Sequence, residues 1–450
     1  MNIEIRGGQV VDPASGLDRV ASVFVADGRI AAIDAAPPGF RADRVVDAAG
    51  LVVAPGLVDL AARLREPGLE HKATLDSEIR AAVAGGVTSL ACPPDTDPPL
   101  DEPGLVEMLK QRARFLHRAH VYPVGALTRR LEGVELAEMG ELADAGCVAF
   151  SQADRPLVDT QVLLRAMQYA ATFGHRVWLR PQDAHLARGG VAHDGEVATR
   201  LGLPAIPAIA ETVALSTILA VVRATGVRVH LCRLSSADGV AMVRAAKAEG
   251  LPVTADVGVH HLHLCDVDIG WFDPLANFVP PLRGTRDRAA LRAGVADGTI
   301  DAICSDHAPV DDDAKQLPFA EADPGATGLE LLLPLTLKWA AEARVPLAQA
   351  LARITSVPAA ILGVEAGTLA VGAPADVVVF DPRRPWRVER AALESQGKNT
   401  PFLDLELRGG CAPRSSAALL STSGREWSGN RSVPSLSVHR FVPHRRVAAR

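Results

Sequence analysis

Leu57-Val58-Asp59-Leu60, a helical stretch from Leu75 to Gly85-Gly86, and then Val87-Thr88-Ser89-Leu90-Ala91-Cys92 make one complete strand, helix and strand. The helix is legible because Leu75, Ile79, Ala82 and Val83 fall on one face at the 3.6-residue period, and the glycine pair stops it. The flanking runs are short, apolar and bounded by turn signals, as strands buried on both faces are. The unit repeats down the chain, with further runs at His120–Leu127, Cys147–Ser151, Arg176–Arg180, Arg228–Leu234, Pro252–Val257 and Asp301–Asp306. Eight strands with helices between them predict an α/β fold, a (β/α)8 TIM barrel. A doubly wound open sheet produces the same alternation, so the period alone leaves that choice open.

Outward from this core the rhythm changes at both ends. Residues 1–54 alternate apolar and polar positions between Gly, Asp and Pro turns, as in Val23-Phe24-Val25-Ala26-Asp27-Gly28-Arg29-Ile30, which predicts short antiparallel strands. The barrel is expected over 55–365. The alternating pattern returns over 366–410, in Ala375-Asp376-Val377-Val378-Val379-Phe380-Asp381, so the two ends are expected to complete one small β-sandwich. From Cys411 to Arg450, Ser and Arg abound, Glu426 is the only acidic residue and periodicity disappears. That composition reads as a basic, mostly disordered tail; a change of reading frame after Leu407-Arg408-Gly409-Gly410 is a second account of it.

The 450 residues are 48% apolar and 22% charged, the balance of an ordinary globular protein with one large domain and a smaller companion. A net charge of −6 gives too weak a field to single out nucleic acid or a membrane, so small molecules or other proteins are the expected partners. Cys92, Cys147, Cys232, Cys265, Cys304 and Cys411 lie far apart with no C-x-x-C pair, and are expected to be reduced thiols. The first eight residues, Met1 to Gly8, lack the basic and then apolar pattern of a signal peptide, and no apolar run reaches the roughly 18 residues of a spanning helix. The expected compartment is the cytoplasm.

Functional groups of a parallel barrel gather at the C-terminal ends of its strands. There the chain carries Pro55-Gly56-Leu57-Val58-Asp59-Leu60, Leu64-Arg65-Glu66-Pro67-Gly68, His260-His261-Leu262, Pro280-Pro281-Leu282-Arg283, Ser305-Asp306-His307-Ala308-Pro309, Gly328-Leu329-Glu330 and Lys398-Asn399-Thr400-Pro401-Phe402. Taken in order, these resemble successive signatures of the Bacillus-type dihydroorotases of the amidohydrolase superfamily, over about residues 1 to 410. The resemblance implies interconversion of carbamoyl aspartate and dihydroorotate by a zinc-bound hydroxide. Imidazoles and carboxylates must then hold the metal, lower the pKa of its water and leave a position open.

The residues depart from that pattern at the metal. Where the family has Asp-x-His-x-His, this chain reads Asp59-Leu60-Ala61-Ala62-Arg63, so Ala61 and Arg63 replace both histidines. The bridging carboxylate falls at Ala153 in Phe150-Ser151-Gln152-Ala153-Asp154, with Asp154 one residue out of place and expected to point elsewhere. The remaining histidine positions carry Arg180, in Leu179-Arg180-Pro181-Gln182-Asp183, and Arg233, in His230-Leu231-Cys232-Arg233-Leu234-Ser235. Only Asp306, which resembles the ligand and general base, survives among six, and it reads as vestigial. Of the positions that resemble substrate contacts, Arg65 and Gly325 are kept, the two asparagines are now Asp95 and Val279, and a histidine is now Val310. On these residues no metal and no cofactor are expected.

Arg63, Arg180 and Arg233 would put positive charge where the family puts metal, and the expected result is an internally paired pocket; the second reading is an anion site that still takes a carboxylate metabolite. His260, His261 and His263 are expected to pack structurally. The leading expectation for function is a catalytically inactive dihydroorotase-like chain, kept as an assembly partner of aspartate carbamoyltransferase in pyrimidine biosynthesis and oligomeric with it. The alternatives are a weak or altered cyclic-amide hydrolase working through Asp306 and a metabolite sensor working through Arg65.

Overall fold

The computed structural model describes residues 1–409 and the short strand Leu419–Leu420. The eight apolar runs form strands at Leu57–Asp59, Val87–Cys92, His120–Ala126, Ala149–Ser151, Arg176–Leu179, Arg228–Leu231, Val253–Gly258 and Ala302–Cys304. They lie in sequence order in one sheet, and every neighbouring pair is parallel. The first and eighth strands meet just beyond their ends. Ala62 and His307 form a parallel bridge, His307 N–H donates to Ala61 O and Arg63 N–H to His307 O, both at 2.9 Å, and Ser305 donates from its amide and hydroxyl to the Asp59 carboxylate at 2.7 and 2.5 Å. This closure decides for a barrel against an open sheet.

The period-2 alternation of each strand sorts its side chains between two environments. Val58, Leu60, Ala91, Val124, Ala149, Trp178, Ala302 and Cys304 fill the barrel, while Leu57, Leu90, Phe150, Val177, Leu179, Val229, Leu231 and Ile303 face the surrounding helices. The first helix, Leu75–Ala84, starts where the Thr74 hydroxyl accepts from Ser77 N–H and buries Leu75, Ile79 and Ala82. Gly85 ends it beside the eighth strand's following loop, because a Cβ there would lie 2.2 Å from the Leu329 carbonyl oxygen.

Strands from both ends of the chain build the companion sheet. Ile3–Asp12 pairs antiparallel with Leu17–Ala26, with a register shift between Ile5 and Gly8. On its other edge the first half takes Arg44–Asp47 in parallel and the second takes Val52 and Val53. Val377–Phe380 then adds antiparallel to Val52–Pro55, and Ile5, Val10, Val23, Ile30, Val53 and Val379 close a separate core. Pro385–Arg387 pairs with Glu406–Arg408 in a ribbon outside that sheet. Leu419–Leu420 pairs with Val377 and Val378; the rest of 411–450, read from composition as a basic tail, lies outside the described residues. Among the described residues Cys92, Cys147, Cys232, Cys265 and Cys304 are free thiols, and no helix is long and apolar enough to cross a membrane.

Candidate functional site

Six strand-end loops aim charged side chains at one point above the barrel core. Arg63 follows the first strand, Asp95 the second, Asp154 the fourth, Arg180 the fifth, Arg233 the sixth and Asp306 the eighth. Several of these loops turn abruptly: Arg65, Ala153, Arg233 and Asp306 have φ of 62°, 50°, 55° and 45°. An L-residue in that left-handed region gives up on the order of 1–2 kcal/mol, which the surrounding contacts must offset.

Asp154 is the centre of the cluster. Its carboxylate accepts from Arg63 Nη2 at 2.5 Å and from Arg180 Nε at 2.8 Å, and it also takes a short bond from Arg233 Nη2. Its backbone carbonyl accepts a further bond from Arg180 Nη2 at 2.7 Å. Arg233 Nη1 donates to Asp306 at 2.9 Å and Arg63 Nη1 stands 3.6 Å from the same oxygen. Arg63 and Arg233 therefore each bridge the same two carboxylates. Arg63 Nε also donates to Asp95 at 2.7 Å, and Arg180 Nη1 donates to Gln182.

The guanidinium groups of this network are buried: Arg63, Arg180 and Arg233 are 7%, 8% and 5% exposed. Burial works against the Asp154 carboxylate, but Arg233, Arg63 and Arg180 outweigh it and hold its pKa well below the usual range. Burial likewise works against Arg63 and Arg233, yet their carboxylate neighbours raise both. Arg180, which among the described residues pairs with the Asp154 carboxylate alone, is lowered by burial. Arg65 is lowered by burial and by Arg63; its Nε donates to the Pro309 carbonyl at 2.9 Å.

A second set of hydrogen bonds fixes the frame around these charges. Asp256 accepts from Arg233 N–H at 2.6 Å and holds His230 Nε2 at 3.0 Å, with His230 Nδ1 2.8 Å from the Thr254 hydroxyl. Asn399 ties the loops after the eighth strand together, accepting from Val310 N–H at 3.1 Å and donating to the carbonyls of Ala308 and Gly325 at 2.9 and 3.0 Å. Val279 contributes only its carbonyl, 3.3 Å from Arg233 Nη1. His261 bonds the Pro280 carbonyl and His263 the Leu335 carbonyl, while His260 lies between the rings of Phe278 and Phe402 at 5.1 and 5.8 Å. They are packed as expected.

The structure brings Arg63, Arg180, Arg233, Asp95 and Asp306 together in one ion-pair cluster, and Ala61 and Ala153 line the small space beside Arg63 and Arg233. Sequence reasoning was wrong about Asp154, which points into the cluster: the left-handed turn at Ala153 swings the next residue inward. It also passed over Asp256, whose inward position follows from strand alternation.

Comparison with known proteins fits this architecture. The profile of dihydro-orotase-like proteins matches residues 50–239, and that of the amidohydrolase family matches residues 148–408. A dihydroorotase-like protein of Pseudomonas putida is 48% identical over 92% of this chain and 96% of its own length. A dihydroorotase of Geobacter sp. (strain M21) is 42% identical over 91% of this chain and 96% of its own. Among solved structures, L-hydantoinase (dihydropyrimidinase) from Arthrobacter aurescens superposes with a TM-score of 0.81 at 24% identity, covering 91% of this chain and 93% of that one, a likeness of fold.

These relationships overturn the expectation of no cofactor. Dihydroorotases and hydantoinases are metal-dependent amidohydrolases, so a metal is the cofactor that kinship implies. The side chains at the strand ends do not by themselves fit such an ion. The three carboxylates of the cluster, Asp95, Asp154 and Asp306, are each engaged by guanidinium groups, and no three His, Cys, Asp or Glu among the described residues converge as a ligand set.

Proposed function

The chain belongs to the dihydroorotase-like family of amidohydrolases, whose members act on cyclic amides, and we propose that it is a non-catalytic member retained as an assembly partner of aspartate carbamoyltransferase in pyrimidine biosynthesis. The observation that carries the first half is the state of Asp306. A general base needs a lone pair facing the substrate, and this carboxylate, 3% exposed, is held by Arg233 with Arg63 alongside. The room beside it supports the same reading: Ala61, Arg63, Ala153 and Arg233 wall a space of about 30 Å³, against the roughly 150 Å³ of a cavity that takes up benzene. The partnership rests on the family resemblance, in which some bacteria pair that transferase with an inactive dihydroorotase-like chain.

The test is hydrolysis of dihydroorotate, and closure of carbamoyl aspartate, by the purified chain with and without added zinc. The expected rate is that of the uncatalysed reaction in both; turnover above it would sink the non-catalytic reading and favour the weak hydrolase. For the second half, sedimentation of the chain mixed with its own organism's aspartate carbamoyltransferase should show one larger species. Two independent boundaries at micromolar concentrations would refute the partnership.

One observation favours a second reading, a carboxylate-metabolite sensor. Among the described residues Arg65 makes no ion pair with any carboxylate, although four guanidinium groups (Arg63, Arg65, Arg180, Arg233) stand near three carboxylates (Asp95, Asp154, Asp306). Stabilisation by carbamoyl aspartate that is lost in Arg65→Met would establish it.

A further inference from the structure

The helix Ile209–Thr225 stands on the outside of the barrel between the fifth and sixth strands, packed against the helices Thr160–Phe173 and Ala237–Ala248. Its inner face buries Ala210, Leu215, Ile218, Leu219 and Val222. Its exposed positions are Ile209, Val213, Ser216, Ala220 and Arg223, with Ala224 beside the last. Their steps of four and three residues put them in one stripe along the axis. From Ile209 to Val222 the only charged residue is Glu211, and it is turned inward, where its carboxylate accepts from the amides and hydroxyls of Ser235 and Ser236. Ile209 and Val213 are 54% and 38% exposed.

Other helices of the barrel's outer ring carry charge toward solvent: Leu75–Ala84 has the Asp76–Arg80 pair and Leu332–Ala343 the Lys338–Glu342 pair. A helix apolar on every side is a buried helix, so the stripe on Ile209–Thr225 calls for a cover. Beyond the helix start, Asp183 N–H donates to the Ala210 carbonyl at 2.8 Å and Ala187 packs with Ile206 and Ala210, so the loop between them brings Leu186, 40% exposed, to the same end. The charges along the other edge are already spent within the chain, Arg223 on Glu249, Asp238 on Arg286 and Arg244 on Asp297, at 2.7, 2.8 and 2.7 Å.

Charge and area select the occupant. A strongly charged partner, nucleic acid or an anionic membrane would find no unpaired charge on the stripe to hold it. Across a two-fold axis a patch meets its own copy, so any charge on it faces its like. This stripe has one charge, Arg223 at its end, and Glu249 neutralises it, so two copies meet here without repulsion although each chain carries a net charge of −6. The 17-residue helix is about 25 Å long, and with a neighbour about 10 Å away on either side the face measures roughly 750 Å², close to the roughly 800 Å² per partner of a stable interface. We propose that Ile209–Thr225 is the contact face of a homodimer, pairing about a two-fold axis with the same helix of a second copy. Ile209 and Val213 supply the apolar contact, and the small Ser216 and Ala220 let the two helices approach closely. The dimer rests on this surface, independently of the proposed function.

The experiment is sedimentation equilibrium of the full chain, alone, at micromolar concentrations. A species of twice the mass of one chain is the expected result. Val213→Glu and Ala220→Glu each set a carboxylate against its own copy and should weaken the dimer on the order of 100-fold or more. Both positions face solvent in the single chain, so circular dichroism should show both variants folded; if one does not fold, the other decides. Phe115→Glu, at an exposed apolar residue of the helix Pro103–Leu116, should leave the dimer intact. A monomer throughout that range, a dimer that survives both glutamates on the stripe, or one lost equally in Phe115→Glu would overturn the proposal.

Discussion

Replacing Asp154 with Asn should destabilise the chain by about 3 kcal/mol at pH 7, a large share of a typical total of roughly 5–15 kcal/mol. The carboxylate meets three guanidinium groups, and hydrogen bonds to charged partners contribute about 1.5–3 kcal/mol each. Breaking a fully buried pair from one side costs about 3–5 kcal/mol. The Asp154 side chain is 32% exposed, however, so water relieves part of that loss and the low end applies. Urea unfolding at 25 °C, followed by circular dichroism and tryptophan fluorescence, measures the difference. The pH dependence supplies an independent check. Burial opposes the charged form, but Arg233, Arg63 and Arg180 hold the folded-state pKa well below the unfolded value of about 3.9. A depressed carboxylate contributes stability that is present above the unfolded pKa and is lost as pH falls below it. The gap between wild type and Asp154→Asn should therefore narrow between about pH 4 and pH 2. A loss under about 1 kcal/mol at pH 7, or a gap constant down to pH 2, would refute a cluster held together by this carboxylate.

Two further outcomes follow from groups outside the cluster. Gly328→Ala should destabilise the chain by about 1–3 kcal/mol or more, because its Cβ would lie 2.1 Å from the Ser305 carbonyl oxygen and the eighth strand's end must shift; a melting temperature equal to wild type would contradict that close approach. Burial raises the Glu330 pKa to about 7 despite bonds from the Glu394 and Ser395 amides, so its contribution falls as pH rises from about 4.5 through 7. Burial of His260 and His263 as neutral rings, with pKa values of about 3 and 4, works the other way, losing stability as pH falls below about 6.5. Glu330→Gln should therefore expose the histidine slope, its stability dropping more steeply than wild type from pH 7 to 5 in urea titrations; parallel curves would rule out a raised carboxyl.

The barrel was legible because its grammar is local: Leu75, Ile79 and Ala82 mark a helix face, Gly85 its end, and runs such as Val87–Cys92 a strand buried on both sides. Closure was not, since it depends on Asp59 meeting Ser305 across most of the chain, and no period records that. The arginines were found by their place in family motifs. Asp154 was misjudged because it sits one residue from the family's ligand position, and the sequence does not announce that an alanine takes a left-handed φ. Trp178 and Asp256 were hidden for another reason: inside a strand they look like any inward residue, and only the neighbours show one as an unpaired donor and the other as the holder of Arg233.

The way Arg63 and Arg233 bridge Asp154 and Asp306 explains why the loss of the family's histidines is hard to reverse one residue at a time. Arg63→His would take a cation away from Asp95, Asp154 and Asp306 together, leaving the imidazole beside the remaining guanidinium groups of Arg180 and Arg233. Restoring a histidine at Ala61 alone would set it against the same positive charge. Ion pairs that share partners are strongly non-additive, because each single change leaves a buried charge that the next change was meant to accommodate. The four left-handed turns at Arg65, Ala153, Arg233 and Asp306 sharpen the point. Each costs backbone strain, and at two of them, Arg233 and Asp306, the charged side chains bond each other. A restored ligand set must therefore displace the guanidinium groups that hold Asp154 and Asp306, several residues at once.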